Sequence, residues 1–241
     1  RLSIFEIFSN LQGINDNPDK ETIKKIDLKF EAAKSLGSNL ILLKSTILKQ
    51  NYLDCSSIER ALKYIALRAS HFRVRVAYMS IPTDVSIGNL DPAIKIIESI
   101  GSPYLGLAIN SRYTLSNGSR PSELRDVPIH RIFHVQLCDG YVQQPASEEQ
   151  SNHSDMLPGQ GNLNLAGFVK VIAASGYKGN WSLAKIDSKK AKKSFIDNAY
   201  DAYRALVNLL DEVERSDPQI KFETPNMPAR VYTSGVEFLE F

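Results

Sequence analysis

The chain has 241 residues, 43% of them hydrophobic, so it is long enough to bury a sizeable core and suits a single α/β domain. Its formal net charge of +2 is close to neutral, which argues against nucleic acid or an acidic membrane surface as a partner. No apolar run reaches the roughly 18 residues that a membrane-spanning helix needs. The cysteines, Cys55 and Cys138, lie far apart without metal-ligand spacing, which predicts a reduced pair and a cytoplasmic location.

Short apolar runs alternate along the chain with segments in which apolar residues recur at helical spacing. The apolar runs predict strands at 2–8, 39–43, 74–79, 104–109, 132–137 and 181–186. The periodic segments predict helices after Pro18, Ser56, Asp91 and Asn164, and a long last helix at 190–214. About six strands in strand-then-helix order indicate parallel βα units with helices outside the sheet. A closed eight-stranded barrel would need two further units.

The last predicted helix carries an apolar stripe that should face a neighbouring element, formed by Phe195, Ala199, Ala202, Leu206 and Leu209. Beyond Ser216 the chain becomes Pro-rich, and it ends in an apolar run at 235–241. We therefore expect a barrel domain at 1–215, followed at 216–241 by a linker and a terminal strand. That strand either closes an open edge of the sheet or begins a further domain.

Three segments carry a resemblance to a known family: 132–139 (IFHVQLCD), 157–161 (LPGQG) and 176–183 (GYKGNWSL). They resemble the last strands of the xylose-isomerase-like TIM barrels, and among these the metal-dependent 3-dehydroshikimate dehydratases. The resemblance implies a TIM-type (β/α) barrel that is incomplete here, because residues 1–8 are similar to the third strand of the family. The first two βα units are therefore expected to be missing ahead of Arg1. Residues 235–241 resemble the start of the dioxygenase-like domain that follows the barrel in two-domain members.

The resemblance also implies a divalent cation held by Glu, Asp, Gln or His, and Glu at the ends of four strands. The matching positions hold Met79, Asn110, Gln136 and Ala184, so only Gln136 keeps a family ligand. If each lost ligand weakens binding by at least 10–100-fold, three losses weaken it by roughly three to six orders of magnitude. No cofactor is therefore expected, and Mg²⁺ or Mn²⁺ would be the ion if the family site still functioned.

Period-two alternation places these four positions, together with His134, on one inward-facing side of the strands. The opposite side carries the apolar residues that a helix-covered outer face requires. That outer set is Val74, Val76, Leu105, Leu107, Ile109, Phe133, Val135, Leu137 and Leu183. The barrel framework is thus expected to be intact although its metal ligands are replaced.

The resemblance implies a small sugar- or shikimate-like ligand, for which the candidate contacts are Asn110, His134, Gln136 and Gln160. For His134, a hydrogen-bonded interior histidine is the favoured interpretation over a catalytic base. Lys44, at the end of a strand, is a further candidate for the mouth of the barrel. Arginines of the family are replaced at 6–9 and 151–156, which disfavours the same acidic substrate because arginine forks recognise carboxylates.

Three functional hypotheses remain open. The first is a barrel related to 3-dehydroshikimate dehydratase with a decayed metal site, weakly active or non-catalytic. The second is an active lyase or sugar isomerase/epimerase of the same superfamily, and the third is a scaffold barrel for a dioxygenase-like domain after Phe241. In each case an open barrel edge would present unpaired N–H and C=O groups, which predicts a homo-oligomer.

Overall fold

The computed structural model describes residues 5–9, 14, 18–45, 55–79, 90–116, 118–142, 156–184, 194–225 and 227–229. Its strands form one parallel sheet in the spatial order β1-β2-β3-β4-β5-β6, which is also their order along the chain. The strands are β1 (Phe5–Ser9), β2 (Leu40–Ser45), β3 (Arg75–Met79), β4 (Leu105–Asn110), β5 (Ile132–Leu137) and β6 (Trp181–Leu183). Because all the strands are parallel, their carboxyl ends lie together at one end of the sheet.

Helices connect the strands and cover one side of the sheet. They are α1 (Lys20–Ser35), α2 (Cys55–Phe72), α3 (Leu90–Ile100), α4 (Ser111–Leu115), α5 (Leu165–Ala174) and α6 (Phe195–Ser216), with 3₁₀ turns at Pro121–Asp126 and Ile129–Arg131. Side-chain caps begin several of them, as when Asp19 accepts a hydrogen bond from the backbone N–H of Thr22 and Asn164 accepts one from that of Gly167.

The two sides of the sheet carry different side chains, as the alternation in the sequence predicts. The outer side and the helices share one large apolar core, to which the strands contribute residues such as Val76, Leu107 and Val135. The inner side holds a smaller group, here named the inner cluster, formed by Leu40, Leu42, Ala77, Met79 and Ala108. The alternation of a buried parallel strand therefore separates helix packing from the barrel interior.

Within the described residues the sheet is open, because β1 and β6 are its two ends and do not pair with each other. This confirms the predicted incomplete TIM-type barrel of six βα units. In the described residues, no helix combines the length and the apolar character that crossing a bilayer requires. The residues just after α6 pack onto the barrel: Ile220 joins the large core, and the Phe222 ring lies edge-on to Trp181. The predicted terminal strand at 235–241 lies outside the described residues.

Phe133 departs from the predicted outer position. The register between β4 and β5 shifts by one residue, since Leu107 lies opposite Ile132 and Ala108 lies opposite His134. The Phe133 side chain packs against the inner cluster instead. Gly106 makes room for it, because a Cβ at Gly106 would lie 2.6 Å from the Phe133 ring. A one-residue bulge suspends strict alternation locally, and the outer assignment of Phe133 was therefore wrong.

The predicted stripe of α6 is only half buried. Phe195 is 83% exposed and Ala199 is exposed as well, whereas Leu209 is buried and Leu206 packs against the large core. Helical spacing identifies an apolar face, but burial also needs an element to receive it. For the first turns of α6 the described residues supply no such cover, and the stripe prediction was wrong there.

Candidate functional site

Side chains at the carboxyl ends of the strands meet on the inner side of the sheet. Lys44 lies opposite Met79, and Asn110 lies opposite Gln136. Ala184 follows β6 and donates its backbone N–H to the Leu137 carbonyl at 2.8 Å. All five are buried, so the four positions matched to the family's metal ligands share one interior layer with a lysine. We name this group the mouth layer.

Asn110 is the centre of a hydrogen-bond network in the mouth layer. Its Oδ1 accepts the backbone N–H of Tyr113 at 3.1 Å, which begins α4, and the Cys138 thiol at 3.3 Å. Its Nδ2 donates to Gln136 Oε1 at 2.9 Å. An Asn at the end of a strand is a preferred helix N-cap, and this signal in the sequence could have revealed α4.

The Tyr113 N–H determines the orientation of both amides. Because a backbone N–H can only donate, the Asn110 atom that faces it must be the oxygen, and the Asn110 NH₂ group must face Gln136. Gln136 then presents its Oε1 to Asn110 and directs its Nε2 elsewhere. No hydrogen bond to Gln136 Nε2 is found among the described residues, so this amide offers the mouth layer two N–H donors.

His134 lies beneath Gln136, one inward position earlier on β5. It is 1% exposed, and its Nε2 lies 2.8 Å from Ser182 Oγ on the neighbouring strand. Either group can donate in this bond, depending on the tautomer. The contact holds the imidazole across the β5–β6 pair, as the interpretation of an interior hydrogen-bonded histidine expected.

Two residues near the mouth layer were not selected for the site by sequence reasoning. The Tyr113 side chain packs against the inner cluster. The aliphatic part of Arg112 lies beside Gly140, after the end of β5. Both lie within three residues after Asn110, so proximity to a strand's carboxyl end was the available signal.

Asp139, just beyond β5, organises the loop that carries Gly159 and Gly161. Its Oδ1 accepts the backbone N–H of Gly140 at 2.8 Å and of Leu163 at 3.2 Å. Its Oδ2 accepts those of Gly159 at 2.9 Å and Gly161 at 3.0 Å. The carboxylate is 2% exposed, so this loop uses its N–H groups on an internal anion.

Gln160 lies in the same loop and is exposed, unlike the other three candidate contacts. Its Oε1 accepts the backbone N–H of Leu157 at 3.1 Å, which braces the turn. Gly161 is required beneath it, because a Cβ there would overlap the Gly140 carbonyl and lie 2.5 Å from Asp139 Oδ1. The structure thus brings Asn110, His134 and Gln136 together in the interior and leaves Gln160 in the covering loop.

The mouth layer does not fit a hard divalent cation. Such an ion prefers several anionic oxygen ligands. Met79 and Ala184 supply no side-chain oxygen, and the side-chain oxygens of Asn110 and Gln136 already accept hydrogen bonds. Among the described residues, no group of three or more His, Cys, Asp or Glu side chains could hold a metal ion.

Parallel βα units with polar side chains gathered at the carboxyl ends of the strands define a (β/α)-barrel protein with its candidate site at the mouth. The chain belongs to the xylose isomerase-like TIM barrel family, whose model matches residues 1–213. The resemblance seen in the three sequence segments is thereby confirmed.

The curated relatives include two 3-dehydroshikimate dehydratases, from Pseudomonas putida and Pseudomonas aeruginosa. Each is 27% identical to this chain over 248 aligned residues, which cover 100% of the chain. The chain spans only 39% of the length of these relatives.

Solved structures show the same fold. A xylose isomerase-like TIM barrel/4-hydroxyphenylpyruvate dioxygenase fusion protein matches with a TM-score of 0.84 at 26% identity, over 98% of this chain and 39% of that protein. L-ribulose 3-epimerase matches with a TM-score of 0.72 at 14% identity, over 92% of this chain and 80% of that protein. The IOLI protein, solved with a zinc atom, matches with a TM-score of 0.71 at 17% identity, over 88% and 77% respectively. At such identities the last two comparisons establish the fold alone.

Proposed function

We propose that the chain is a 3-dehydroshikimate-dehydratase-like barrel that binds a small sugar- or shikimate-like molecule in its mouth layer without a divalent cation. In this proposal it is a non-catalytic or weakly active member of its family, and it is cytoplasmic. The family match and the dehydratase relatives support the class of ligand. The side chains of the mouth layer support the loss of the metal.

The observation that carries the proposal is the orientation of the Asn110–Gln136 pair. Gln136 is the one family ligand that remains, yet its oxygen accepts from Asn110 Nδ2 at 2.9 Å and its NH₂ group is the part offered to a ligand. A cation needs the oxygen, whereas a hydroxyl or carbonyl oxygen of a small molecule accepts from the NH₂ group. The pair is therefore arranged for a ligand oxygen.

The charge of the mouth layer supports the same conclusion. The family's ligand set of Glu, Asp, Gln and Glu carries three negative charges, which a divalent ion balances in large part. Here Met79, Asn110, Gln136 and Ala184 are all neutral, and Lys44 is the ionisable member of the layer. A divalent cation beside the Lys44 ammonium would find little anionic charge to offset its dehydration. A neutral or acidic oxygen-rich molecule suits the layer better.

The test is an assay of 3-dehydroshikimate dehydration with Mg²⁺ or Mn²⁺ supplied, together with an equilibrium binding measurement for the same compound. We expect no turnover, and only weak binding of this acid because the family's arginines are replaced at 6–9 and 151–156. The variant Gln136→Leu should weaken binding by about tenfold, the value of one hydrogen bond to a ligand oxygen. The matched control Gln219→Leu, on an exposed residue after α6, should leave binding unchanged. Metal-dependent turnover by the unmodified chain would overturn the proposal.

A second candidate, a scaffold for a dioxygenase-like domain, is favoured by one comparison. The solved fusion protein joins a xylose isomerase-like barrel to a 4-hydroxyphenylpyruvate dioxygenase, and this chain covers 39% of it. Under this hypothesis residues beyond the barrel lead to that domain. Dioxygenase activity from a longer reading frame that includes this chain, retained in the Gln136→Leu variant, would favour the scaffold role over the ligand-binding role.

The open sheet suggests how copies of the chain associate. Among the described strands, β1 and β6 each have one edge without a partner strand, and the backbone groups of such an edge commonly pair with another strand. We infer that a second copy of the chain covers them. Light scattering coupled to gel filtration should then report twice the chain mass of 26.9 kDa, and a monomer at all accessible concentrations would exclude this assembly.

A further inference from the structure

A cavity lies at the amino ends of the strands, whereas the mouth layer lies at their carboxyl ends. It has a volume of about 470 Å³ and opens at the amino ends of β2, β3 and β5, next to the turn that leads into β6. Its wall includes the basic residues Arg75, His130 and Lys178, and the amides Asn39 and Asn180. Neither Asp nor Glu is among the described residues that line it. We name it the floor cavity.

Arg75 is held in place at the floor cavity. It is the first residue of β3, and its guanidinium lies over the Phe133 ring, 5.0 Å from the ring centroid. Phe133 reaches this position through the β4–β5 bulge and the space left by Gly106. In the described part of the chain, no carboxylate lies within ion-pair distance of Arg75. Stacking on the ring leaves the N–H groups at the edge of the guanidinium available.

The neighbouring charges leave the floor cavity positive. One carboxylate near the cavity belongs to Glu98, whose Oε1 lies 3.8 Å from His130 Nε2. That carboxylate is engaged by Arg131, whose Nε lies 2.6 Å away. It therefore offsets the charge of Arg131, while Arg75 and Lys178 have no counter-ion among the described residues.

Tyr177 keeps the turn that carries Lys178 rigid. Its hydroxyl donates to the Asn180 carbonyl at 2.9 Å, and its ring packs edge-on against Trp181 at 5.4 Å between centroids. Burial raises the pKa of the Tyr177 hydroxyl, so it remains a donor throughout the physiological range. Lys178 thus lies in a turn that Tyr177 braces from both ends.

We propose that the floor cavity binds a small oxyanion, the phosphate or carboxylate group of a small molecule, between Arg75 and Lys178. A stacked guanidinium with free edge N–H groups suits bidentate contact with such an anion, and a lysine adds a second charge. Asn39 and Asn180 supply neutral hydrogen-bonding groups around it. This site uses none of the mouth-layer residues, so it is independent of the ligand proposed there.

Trp181 provides a local signal for the test, because it is the single tryptophan of the chain and contacts Tyr177 in the cavity wall. Its fluorescence is followed while inorganic phosphate, or separately acetate, replaces chloride at constant ionic strength. We expect a saturable change with a dissociation constant of about 1 mM or tighter for at least one anion. Saturation by phosphate alone assigns a phosphate site, and tighter binding of acetate assigns a carboxylate site.

Variants decide whether the signal comes from the floor cavity. Arg75→Met should weaken anion binding by roughly 10–100-fold, since a charge-assisted contact is lost. Arg75→Lys keeps the charge without the guanidinium fork, so its affinity should fall between those of the unmodified chain and Arg75→Met. If circular dichroism shows that Arg75→Met does not fold, Lys178→Gln provides an independent test and should also weaken binding. The control Lys95→Gln, on the exposed side of α3, should bind like the unmodified chain. A response that does not saturate, or unchanged affinity in Arg75→Met or Lys178→Gln, would overturn the proposal.

Discussion

Asp139 and Gln136 are both buried at the end of β5, at 2% and 3% exposure, yet they differ in how their hydrogen-bonding capacity is used. The Asp139 carboxylate accepts four backbone N–H groups and is saturated. Gln136 uses its oxygen on Asn110 and offers its NH₂ group to the mouth layer. Saturation therefore separates a polar group that builds the loop from one that is available to a ligand, although the two are only three positions apart.

The largest effect should come from rebuilding the anionic ligand set beside Gln136. The combined variant Met79→Glu, Asn110→Asp and Ala184→Glu replaces neutral side chains with carboxylates at the ends of inward-facing strands. Affinity for Mn²⁺ should rise by roughly a thousandfold to a millionfold, the inverse of the loss estimated for three ligands. Isothermal titration calorimetry measures it.

Each single substitution serves as a control for the combined variant. One carboxylate cannot offset the dehydration of the ion, so each single variant should show little increase in affinity for Mn²⁺. Activity toward 3-dehydroshikimate should still lag in the combined variant, because the family's arginines are replaced at 6–9 and 151–156. Strong binding by one single variant would mean that the layer is not assembled as described.

Asp139→Asn should cause the next largest effect, on stability. In this variant an NH₂ group replaces one carboxylate oxygen. The buried backbone N–H groups that donated to that oxygen lose their acceptor and face another donor instead. We expect the free energy of unfolding to fall by about 3–5 kcal/mol in urea titration. The exposed Asp126→Asn, at the end of a 3₁₀ turn, should change it by less than about 0.5 kcal/mol.

Two glycines of the Asp139 loop provide a matched pair of smaller changes. In Gly161→Ala the new Cβ would overlap the Gly140 carbonyl and approach Asp139, at an expected cost of about 3 kcal/mol. In Gly159→Ala nothing lies within 4 Å of the Cβ, and only the positive φ of +87° opposes it, at about 1–2 kcal/mol. Thermal unfolding of the two variants should rank them in this order. The reverse ranking would contradict the closure of the loop on Asp139.

Gln136→Leu should have an effect on stability as small as that of Gly159→Ala, in contrast to its expected effect on ligand binding. It removes one hydrogen bond and leaves Asn110 Nδ2 without that acceptor, so the free energy of unfolding should fall by about 1–2 kcal/mol. Chemical denaturation beside the control Gln219→Leu checks this value. A loss as large as that of Asp139→Asn would show that Gln136 is structural as well.

The faces of the sheet were predictable from the sequence because alternation in a strand is geometric. Residues such as Val76 and Leu107 reach the large core, and Ala77 and Met79 reach the inner cluster, as their positions along the strands required. Phe133 was misplaced because a bulge depends on the partner strand and on Gly106, neither of which appears in the alternation of β5 itself.

The candidate site was predictable in its location and less so in its hydrogen bonds. Asn110, Gln136 and Ala184 follow from strand ends and from the family motif, and their shared layer needs only parallel topology. The role of Asp139 depends on a loop that returns some twenty residues later to Gly159 and Gly161, which no local pattern specifies. The exposure of Phe195 likewise depends on what lies beside α6 and not on its own periodicity.

Calorimetry of the unmodified chain with Mn²⁺ tests the central claim most directly. The mouth layer presents the NH₂ group of Gln136 and the side chains of Met79 and Ala184 where an ion would need anionic oxygens. We predict no heat of binding at micromolar to millimolar Mn²⁺. Stoichiometric binding with a micromolar dissociation constant, lost in Gln136→Leu, would contradict the account.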